Sequence, residues 1–182
     1  AASAERLNTL VNDLLDISKM ESNAMKLRVN EFDITELCKE VFESYQKQAK
    51  ERSCTLQFKE DCDHPYKILA DKDRIRQVLN NLIGNSIAYG KEKGITSIGL
   101  YDLHQNILIE VTDNGEGIEA EHLPRLFERF YRTDKSRSRN SGGSGLGLSI
   151  VKHIIEAHNQ TIEVSSNIGK GTTFTFSLKK VI

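Results

Sequence analysis

The chain has 182 residues and a formal net charge of −1, from 25 basic and 26 acidic side chains. This length suits one domain, or one domain with an appendage, and 38% hydrophobic residues are enough to fill a core. The balanced charge gives no electrostatic reason to expect nucleic acid as a partner. No apolar stretch approaches the roughly twenty residues of a membrane span, and no signal peptide is recognisable, so we do not expect this chain to insert into a membrane.

Apolar side chains recur every three or four residues in the first segment, at Leu7, Leu10, Leu14 and Ile17. This spacing predicts an amphipathic helix that is too short to be stable without a partner surface. Two interpretations are open. The helix packs on its own domain, or it is the end of a bundle helix whose partners lie N-terminal to it. The second is favoured because the apolar stripe begins almost at residue one.

The rest of the chain mixes strands and helices. Alternation predicts seven strands, at residues 26–32, 55–58, 66–70, 96–103, 107–112, 161–165 and 172–178. Helical periodicity predicts helices at residues 33–52, 71–87 and 146–158, the first opened by Asp33 as N-cap and Glu36 as its capping-box partner. This order predicts an α/β (α+β) two-layer sandwich, with one mixed sheet and helices on one face.

The three cysteines are Cys38, Cys54 and Cys62. They have neither the paired spacing of a zinc site nor histidines in the right order beside them. We therefore predict reduced thiols in a cytoplasmic domain rather than a set of disulfides.

Two asparagines on the long central helix, Asn81 and Asn85, are four residues apart and share one face. An asparagine carbonyl is a neutral oxygen ligand that suits one position on a magnesium ion keeping its waters and phosphate oxygens. The alternative is a pair of simply solvated side chains. A polar stripe on a helix that is otherwise apolar favours the ligand interpretation.

The first glycine-rich loop begins with Asp113 at a strand end and continues through Gly115 and Gly117. The carboxylate can accept a hydrogen bond from an adenine amino group, and the glycines let the backbone approach a flat ring. The alternative is an ordinary Asp-Gly hairpin turn. It is less favoured because the next segment does not read as a strand.

The second glycine-rich loop carries Gly143, Gly145 and Gly147 and leads directly into a helix. Such a loop can place backbone N–H groups and a helix N-terminus against phosphates. A linker is the alternative. It accounts for residues 141–144 but not for the helical periodicity that follows at once.

These elements, in this order, resemble the catalytic ATP-binding domain of sensor histidine kinases, whose fold is shared with gyrase-type ATPases. The resemblance spans nearly the whole chain. The matching boxes are the N box (81–89), the first glycine box (113–117), the F box (126–132), the second glycine box (143–148) and the penultimate turn (169–174).

The resemblance implies ATP and Mg²⁺ as cofactors and gives roles to individual residues. Asn85 would coordinate Mg²⁺ with Asn81 in a supporting catalytic role, Asp113 would read the adenine amino group, and Tyr89 would border the nucleotide. Residues 131–144 would form a lid, from which Arg132 and Lys135, or Arg137, reach the γ-phosphate or the docked acceptor helix. The further nucleotide contacts that it implies are Gly115, Gly117, Ile118, Gly143, Gly145, Leu146, Gly147, Leu148 and Thr173.

The sequence departs from the family pattern at Ala88, where the N box usually carries a basic residue. Losing a charged contact to phosphate costs about 1.5–3 kcal/mol. We expect weakened rather than abolished binding, because Lys91, Lys93 or a lid arginine could compensate.

The second departure is the missing phosphoacceptor motif. None of the five histidines has the family's acceptor context: His64, His104, His122, His153 and His158. We therefore interpret residues 1–23 as the end of the second dimerisation helix and residues 24–182 as the catalytic domain.

The predicted function is transfer of the ATP γ-phosphate to a histidine on a helix bundle outside this chain. The expected partners are the bundle of the homodimeric parent and a response regulator, with no nucleic acid. Family habit places the parent in the inner membrane and this domain in the cytoplasm. Two alternatives stay open: a degenerate nucleotide-responsive module without phosphotransfer, favoured by Ala88 alone, and a serine-directed kinase or ATPase on the same fold.

Overall fold

The structure is a computed structural model that describes residues 2–21, 26–133 and 145–182. Within these ranges, five helices and one short 3-10 turn accompany seven strands. The helices are α1 (Ala2–Glu21), α2 (Ile34–Ser44), α3 (Gln46–Glu51), α4 (Lys72–Tyr89) and α5 (Gly147–Ala157), and the 3-10 turn is Leu123–Arg125. The strands are β1 (Val29–Asp33), β2 (Thr55–Phe58), β3 (Lys67–Asp71), β4 (Ile95–Asp102), β5 (Asn106–Asp113), β6 (Ile162–Asn167) and β7 (Gly171–Lys180).

The seven strands form one mixed sheet in the order β1-β3-β7-β5-β4-β2, and β6 pairs with β7. The β2–β4 pair is parallel, and the other pairs are antiparallel. Along β5, Ile107, Ile109 and Val111 are buried, whereas the residues between them are half-buried. This alternation is what a sheet covered on one face requires, and the predicted α+β fold with a mixed sheet is confirmed.

The core lies between the sheet and the helices. The buried side of α4 carries Ile75, Leu79 and Ile83, and α4 packs against α5 through the buried Val151 and Ile154. Full burial of each such side chain contributes roughly 1.5–3 kcal/mol to folding. The opposite side of α4 is therefore free to carry polar residues.

The helix predicted at residues 33–52 is interrupted in the structure. Asp33 caps α2 as predicted, because its Oδ1 accepts from the Thr35 N–H at 2.8 Å. The side chain of Glu36 pairs with Lys39 at 3.4 Å rather than completing the predicted capping box. The chain then leaves helical geometry at Tyr45 before α3 begins.

The N-terminal helix α1 docks on the rest of the chain with one side only. Ile17 and Met20 are buried in the main core cluster. Asp16 accepts a hydrogen bond from Gln77 Nε2 at 2.8 Å and lies 3.7 Å from Arg74 Nη1. Leu7, Val11, Leu14 and Leu15 of α1 are exposed, although Leu7 and Leu14 belong to the predicted apolar stripe. A membrane span would need a longer apolar helix than any found in the described residues.

Candidate nucleotide-binding site

A cavity of about 550 Å³ opens between the polar side of α4, the loop after β5 and the start of α5. Ten of the predicted site residues line it: Asn81, Asn85, Tyr89, Asp113, Gly117, Ile118, Arg132, Gly145, Gly147 and Leu148. The structure therefore brings the N box, both glycine boxes and the end of the F box to one place.

Three predicted contacts lie beside the cavity rather than on its wall. Gly115 supports Asp113 through its backbone, and Leu146 is fully buried before α5. The Thr173 hydroxyl lies 3.0 Å from the Thr112 hydroxyl, on the other face of the sheet. Because side chains alternate along a strand, the neighbouring Thr172 lines the cavity.

The predictions for Lys135, Arg137 and Gly143 fall outside the described residues, as does most of the predicted lid. The lid's described part is residues 131–133, which line the cavity. Among the described lysines and arginines, Arg132 alone is on the cavity wall. Lys91 and Lys93, which we expected to compensate for Ala88, are not.

Asp113 ends β5 with its side chain at the cavity. The Gly115 N–H donates to Asp113 Oδ1 at 2.9 Å, which fixes the direction of the carboxyl group. Burial raises the pKa of the Asp113 carboxyl, and hydrogen bonds from the backbone N–H groups of Gly115 and Thr172 partly offset that rise. A buried carboxylate held in this way is a strong acceptor for an amino group on a flat base.

The turn between β6 and β7 supports the loop that follows Asp113. The Ile118 N–H donates to Ser166 Oγ at 2.7 Å, and the Gly169 N–H donates to the Glu116 carbonyl at 2.7 Å. Gly117 has φ +80°, and a Cβ there would overlap the carbonyl oxygen of Asn167. This backbone contact explains the role of the penultimate turn, which the sequence indicated only by resemblance.

Apolar side chains form the walls around Asp113. Val111, Ile118, Leu148 and Phe174 line the cavity, and Phe174 is held by an edge-on contact with Phe127 at 6.2 Å between ring centroids. Mostly apolar walls with a few placed polar groups are typical of pockets that bind small molecules.

At the other end, α4 is tied to the start of α5. Asn81 Nδ2 donates to the Gly147 carbonyl at 3.2 Å, and Asn85 lies one turn further along the same face. Gly145, at φ +78°, accepts from the Phe130 N–H at 2.9 Å, and a Cβ there would lie 2.9 Å from Phe130 Cα. The F box therefore anchors the second glycine loop and, with it, the N-terminus of α5.

The structure adds lining residues that the sequence analysis missed. Tyr45 lines the cavity and donates from its hydroxyl to the Asn80 carbonyl at 3.0 Å, and burial raises the pKa of this phenol. Thr9 and Asp13 of α1 also line it. Their four-residue spacing with the buried Ile17 is a signal that places all three on one side of α1.

The cavity wall near Tyr131 carries Glu119, Glu121 and His122. One ligand atom from each of them lies within 4.8 Å of the others. His122 Nδ1 forms a short hydrogen bond with the Tyr131 hydroxyl. Both carboxylates are exposed.

Comparison with known proteins places this geometry in a family. Residues 70–182 match the family described as "Histidine kinase-, DNA gyrase B-, and HSP90-like ATPase". The chain is 40% identical to "Drug sensory protein A" of Synechocystis sp., over 96% of the chain and 27% of that protein. It is 36% identical to "Sensor-like histidine kinase SenX3" of Mycobacterium tuberculosis, over 98% of the chain and 43% of that protein. The chain thus spans less than half the length of these relatives.

Solved structures resemble this chain in both fold and sequence. Full-length ShkA in complex with AMPPNP matches with a TM-score of 0.87 and 29% identity, over 99% of this chain and 37% of that one. Histidine kinase ThkA in complex with response regulator protein TrrA matches with a TM-score of 0.78 and 29% identity, over 99% of this chain and 49% of that one.

The chain therefore belongs to the histidine kinase-, DNA gyrase B- and HSP90-like ATPase family. Its named relatives and structural neighbours are sensor proteins and histidine kinases, and the part it matches is the ATP-binding catalytic domain. The predicted resemblance is confirmed.

Proposed function

We propose that this chain binds Mg-ATP in the cavity and delivers the γ-phosphate to a histidine on a helix bundle of its parent protein. The observation that carries the proposal is the joint placement of the Asp113 carboxylate, the Asn85 amide and the start of α5 around one cavity. These three groups suit, in turn, a purine amino group, a phosphate-bound magnesium ion and phosphate oxygens.

At the purine end, Asp113 accepts a hydrogen bond from the adenine amino group. Its orientation is preset by the Gly115 N–H, so little ordering remains to be done on binding. Val111 and Phe174 enclose the ring, and Tyr89 borders it. The same carboxylate disfavours a base that presents an oxygen at that position, because two acceptors would then face each other.

The side chains on α4 fit a magnesium ion that is held mainly by phosphates and water. The only carboxylate in α4 is Asp73, in its first turn and away from the cavity wall. Asn85 would therefore supply one neutral oxygen ligand, with Asn81 supporting it. When bound, the ion would neutralise charge on the phosphate oxygens.

Phosphoryl transfer asks the protein mainly to position groups and neutralise charge. The bond from the γ-phosphorus to its bridging oxygen breaks, a P–N bond to the acceptor imidazole forms, the ring releases a proton and ADP leaves. Arg132 on the cavity wall stabilises the negative charge that develops on the phosphate oxygens during transfer. We propose the same role for Lys135. Asn81 cannot act as a general base, which disfavours hydrolysis of ATP by water.

The proposed parent is a homodimer in which residues 1–23 end the second dimerisation helix and residues 24–182 form the catalytic domain. The exposed stripe of Leu7, Val11, Leu14 and Leu15 supports a helical partner for α1. A response regulator is the proposed recipient of the phosphoryl group, and ThkA is described in complex with one. We place the catalytic domain in the cytoplasm, where ATP is available.

A second candidate is a nucleotide-responsive module that does not transfer phosphate. Ala88 favours it, because Arg132 is the one described lysine or arginine on the cavity wall. The discriminating experiment supplies the parent's acceptor bundle in trans with γ-labelled ATP. Acid-labile label on the bundle supports the kinase. Nucleotide binding without any label transfer supports the module.

A further inference from the structure

Arg52, the residue that follows α3, binds the far end of the nucleotide-binding helix. Its Nη2 donates to the Gly90 carbonyl at 2.8 Å, and its Nη1 lies 3.4 Å from the Ala88 carbonyl. Its own carbonyl accepts from the Lys93 N–H at 3.1 Å. A guanidinium fork can bridge two carbonyls in this way, and a cation suits the C-terminal end of a helix. Arg52 therefore holds the last turn of α4 and both ends of the loop at residues 90–93.

This loop in turn touches the loop that carries the adenine-reading carboxylate. A Cβ on Gly115 would lie 3.2 Å from Gly90 Cα and 3.6 Å from the Lys91 nitrogen, so the two backbones are in direct contact. The Ile95 N–H donates to Asn114 Oδ1 at 2.7 Å and fixes the same junction.

The final link is the hydrogen bond from the Gly115 N–H to Asp113 Oδ1, at 2.9 Å. We propose that Arg52 is a positioning residue for base recognition: it holds Gly90, Gly90 supports Gly115, and Gly115 orients Asp113. The proposal rests on the proposed function, because it gives Asp113 the adenine amino group as its ligand. Arg52 itself is not on the cavity wall.

Arg52 does not replace the basic residue that the N box usually carries at the position of Ala88. Its guanidinium contacts the Ala88 carbonyl at the end of α4 that meets the Asp113 loop. The positive charge therefore acts on the backbone at the purine end and does not replace a basic side chain at the phosphates.

A purely structural role for Arg52 predicts a different outcome from a positioning role. A residue that only stabilises the fold changes the fraction of folded protein and leaves the selectivity of each folded molecule unchanged. A residue that orients Asp113 changes how well the site distinguishes a base with a 6-amino group from one without it.

The test measures, by calorimetry with Mg²⁺, the dissociation constants of a non-hydrolysable ATP analogue and of its purine riboside counterpart, which lacks the 6-amino group. In the wild type we expect the ratio to favour the ATP analogue by about ten- to a hundredfold, as expected for a hydrogen bond to a carboxylate. In Arg52→Ala we expect this ratio to fall by about tenfold. Arg52→Lys should retain an intermediate ratio, because one ammonium cannot bridge both carbonyls.

Arg76→Ala is the matched control. Arg76 Nη2 pairs with Glu40 Oε2 at 2.8 Å, and neither residue is on the cavity wall. This variant loses an arginine contact of α4 but should keep the wild-type ratio. If Arg52→Ala does not fold, the ratio of dissociation constants in Arg52→Lys is compared with the wild-type ratio instead.

An unchanged ratio in the Arg52 variants, beside a selective wild type, would overturn this inference and leave the proposed function standing. A wild type that binds neither analogue would overturn both. A wild type that binds both analogues equally would show that Asp113 does not read the amino group, and would overturn the inference while leaving nucleotide binding in place.

Discussion

Gly171 at the start of β7 lies directly against the backbone of Asp113 at the end of β5. A Cβ on Gly171 would overlap the Asp113 carbonyl oxygen, and Gly171 has φ +128°. The two residues are far apart in sequence, but pairing of β5 with β7 brings them together. Their contact fixes the backbone of Asp113 at the end of β5. The position of Asp113 therefore depends on a glycine that is not on the cavity wall.

Gly171→Ala should disrupt this contact. We expect nucleotide binding to be lost and the free energy of unfolding to fall by more than about 1 kcal/mol, because the new methyl group forces the two backbones apart. Gly169→Ala is the control, since Gly169 has φ +81° but nothing within 4 Å of its added Cβ. Chemical denaturation and calorimetric titration of both variants check this. Equal losses of binding and stability in the two variants would mean that backbone strain at a positive φ causes the effect, and not the contact with Asp113.

Asp113→Asn should weaken binding of the ATP analogue by about ten- to a hundredfold, because it removes a charged acceptor. The fold should survive, since an amide oxygen can still accept from the Gly115 N–H. Titration of the folded variant measures the loss. An affinity equal to that of the wild type would contradict the assignment of Asp113.

The same substitution has a pH-dependent effect on stability. Burial raises the pKa of Asp113 above its ordinary value of 3.8, so the folded state holds the proton more tightly than the unfolded state. Stability supplied by the protonated form is present below pH 3.8 and is lost as pH rises through the raised pKa. Without nucleotide, Asp113→Asn should therefore gain stability relative to the wild type as pH rises from 3.8 to 7. Denaturation curves across this pH range measure the difference in free energy of unfolding between the variant and the wild type. A difference that does not change with pH would contradict this prediction.

Asn85→Ala should remove the magnesium dependence of nucleotide binding while leaving purine selectivity intact. In the proposed site, Asn85 on the cavity wall would supply an oxygen ligand to the ion, whereas Asp113 would supply the acceptor for the purine amino group. Titrations with and without Mg²⁺ measure the effect. Asn30→Ala, on an exposed position of β1, should behave as the wild type. A variant at Asn85 that responds to Mg²⁺ as the wild type does would show that the ion is held elsewhere.

Ile17→Ala should release α1 from the catalytic domain. Ile17 is 4% exposed in the core cluster, and replacing a buried isoleucine by alanine typically costs about 2–5 kcal/mol. Since Ile17 lies where α1 meets the core cluster, we expect faster amide exchange in α1 without unfolding of the sheet. Leu15→Ala, at 55% exposure on the other side of the helix, is the matched control. Equal exchange in the two variants would mean that Ile17 does not hold α1.

Much of this site could be predicted because its chemistry is local in sequence. The polar face of α4 follows from the spacing of Asn81 and Asn85, and the loop after β5 follows from Asp113 and the two glycines after it. The packing of β5 and β7 follows from strict alternation of buried residues. Each of these patterns lies within a single helix, strand or loop, and it predicts which side chains share one face of that element.

The missed features arise from contacts between elements. The break at Tyr45 accompanies a tertiary hydrogen bond from its hydroxyl to the Asn80 carbonyl, which no local pattern reveals. The prediction of Thr173 rather than Thr172 as a lining residue is a one-residue difference in register, and one residue reverses the face of a strand. The contribution of α1 to the cavity, through Thr9 and Asp13, was not predicted, because the periodicity of a helix does not say which surface it meets.

The proposed function requires that ATP binds, with Mg²⁺, in the cavity of Asp113 and Asn85. The most direct measurement is calorimetric titration of this chain with a non-hydrolysable ATP analogue, with and without Mg²⁺. We predict one binding site per chain whose affinity rises with Mg²⁺. Absence of binding in both conditions would contradict the proposed function and would show that the loss of a basic residue at Ala88 is not compensated.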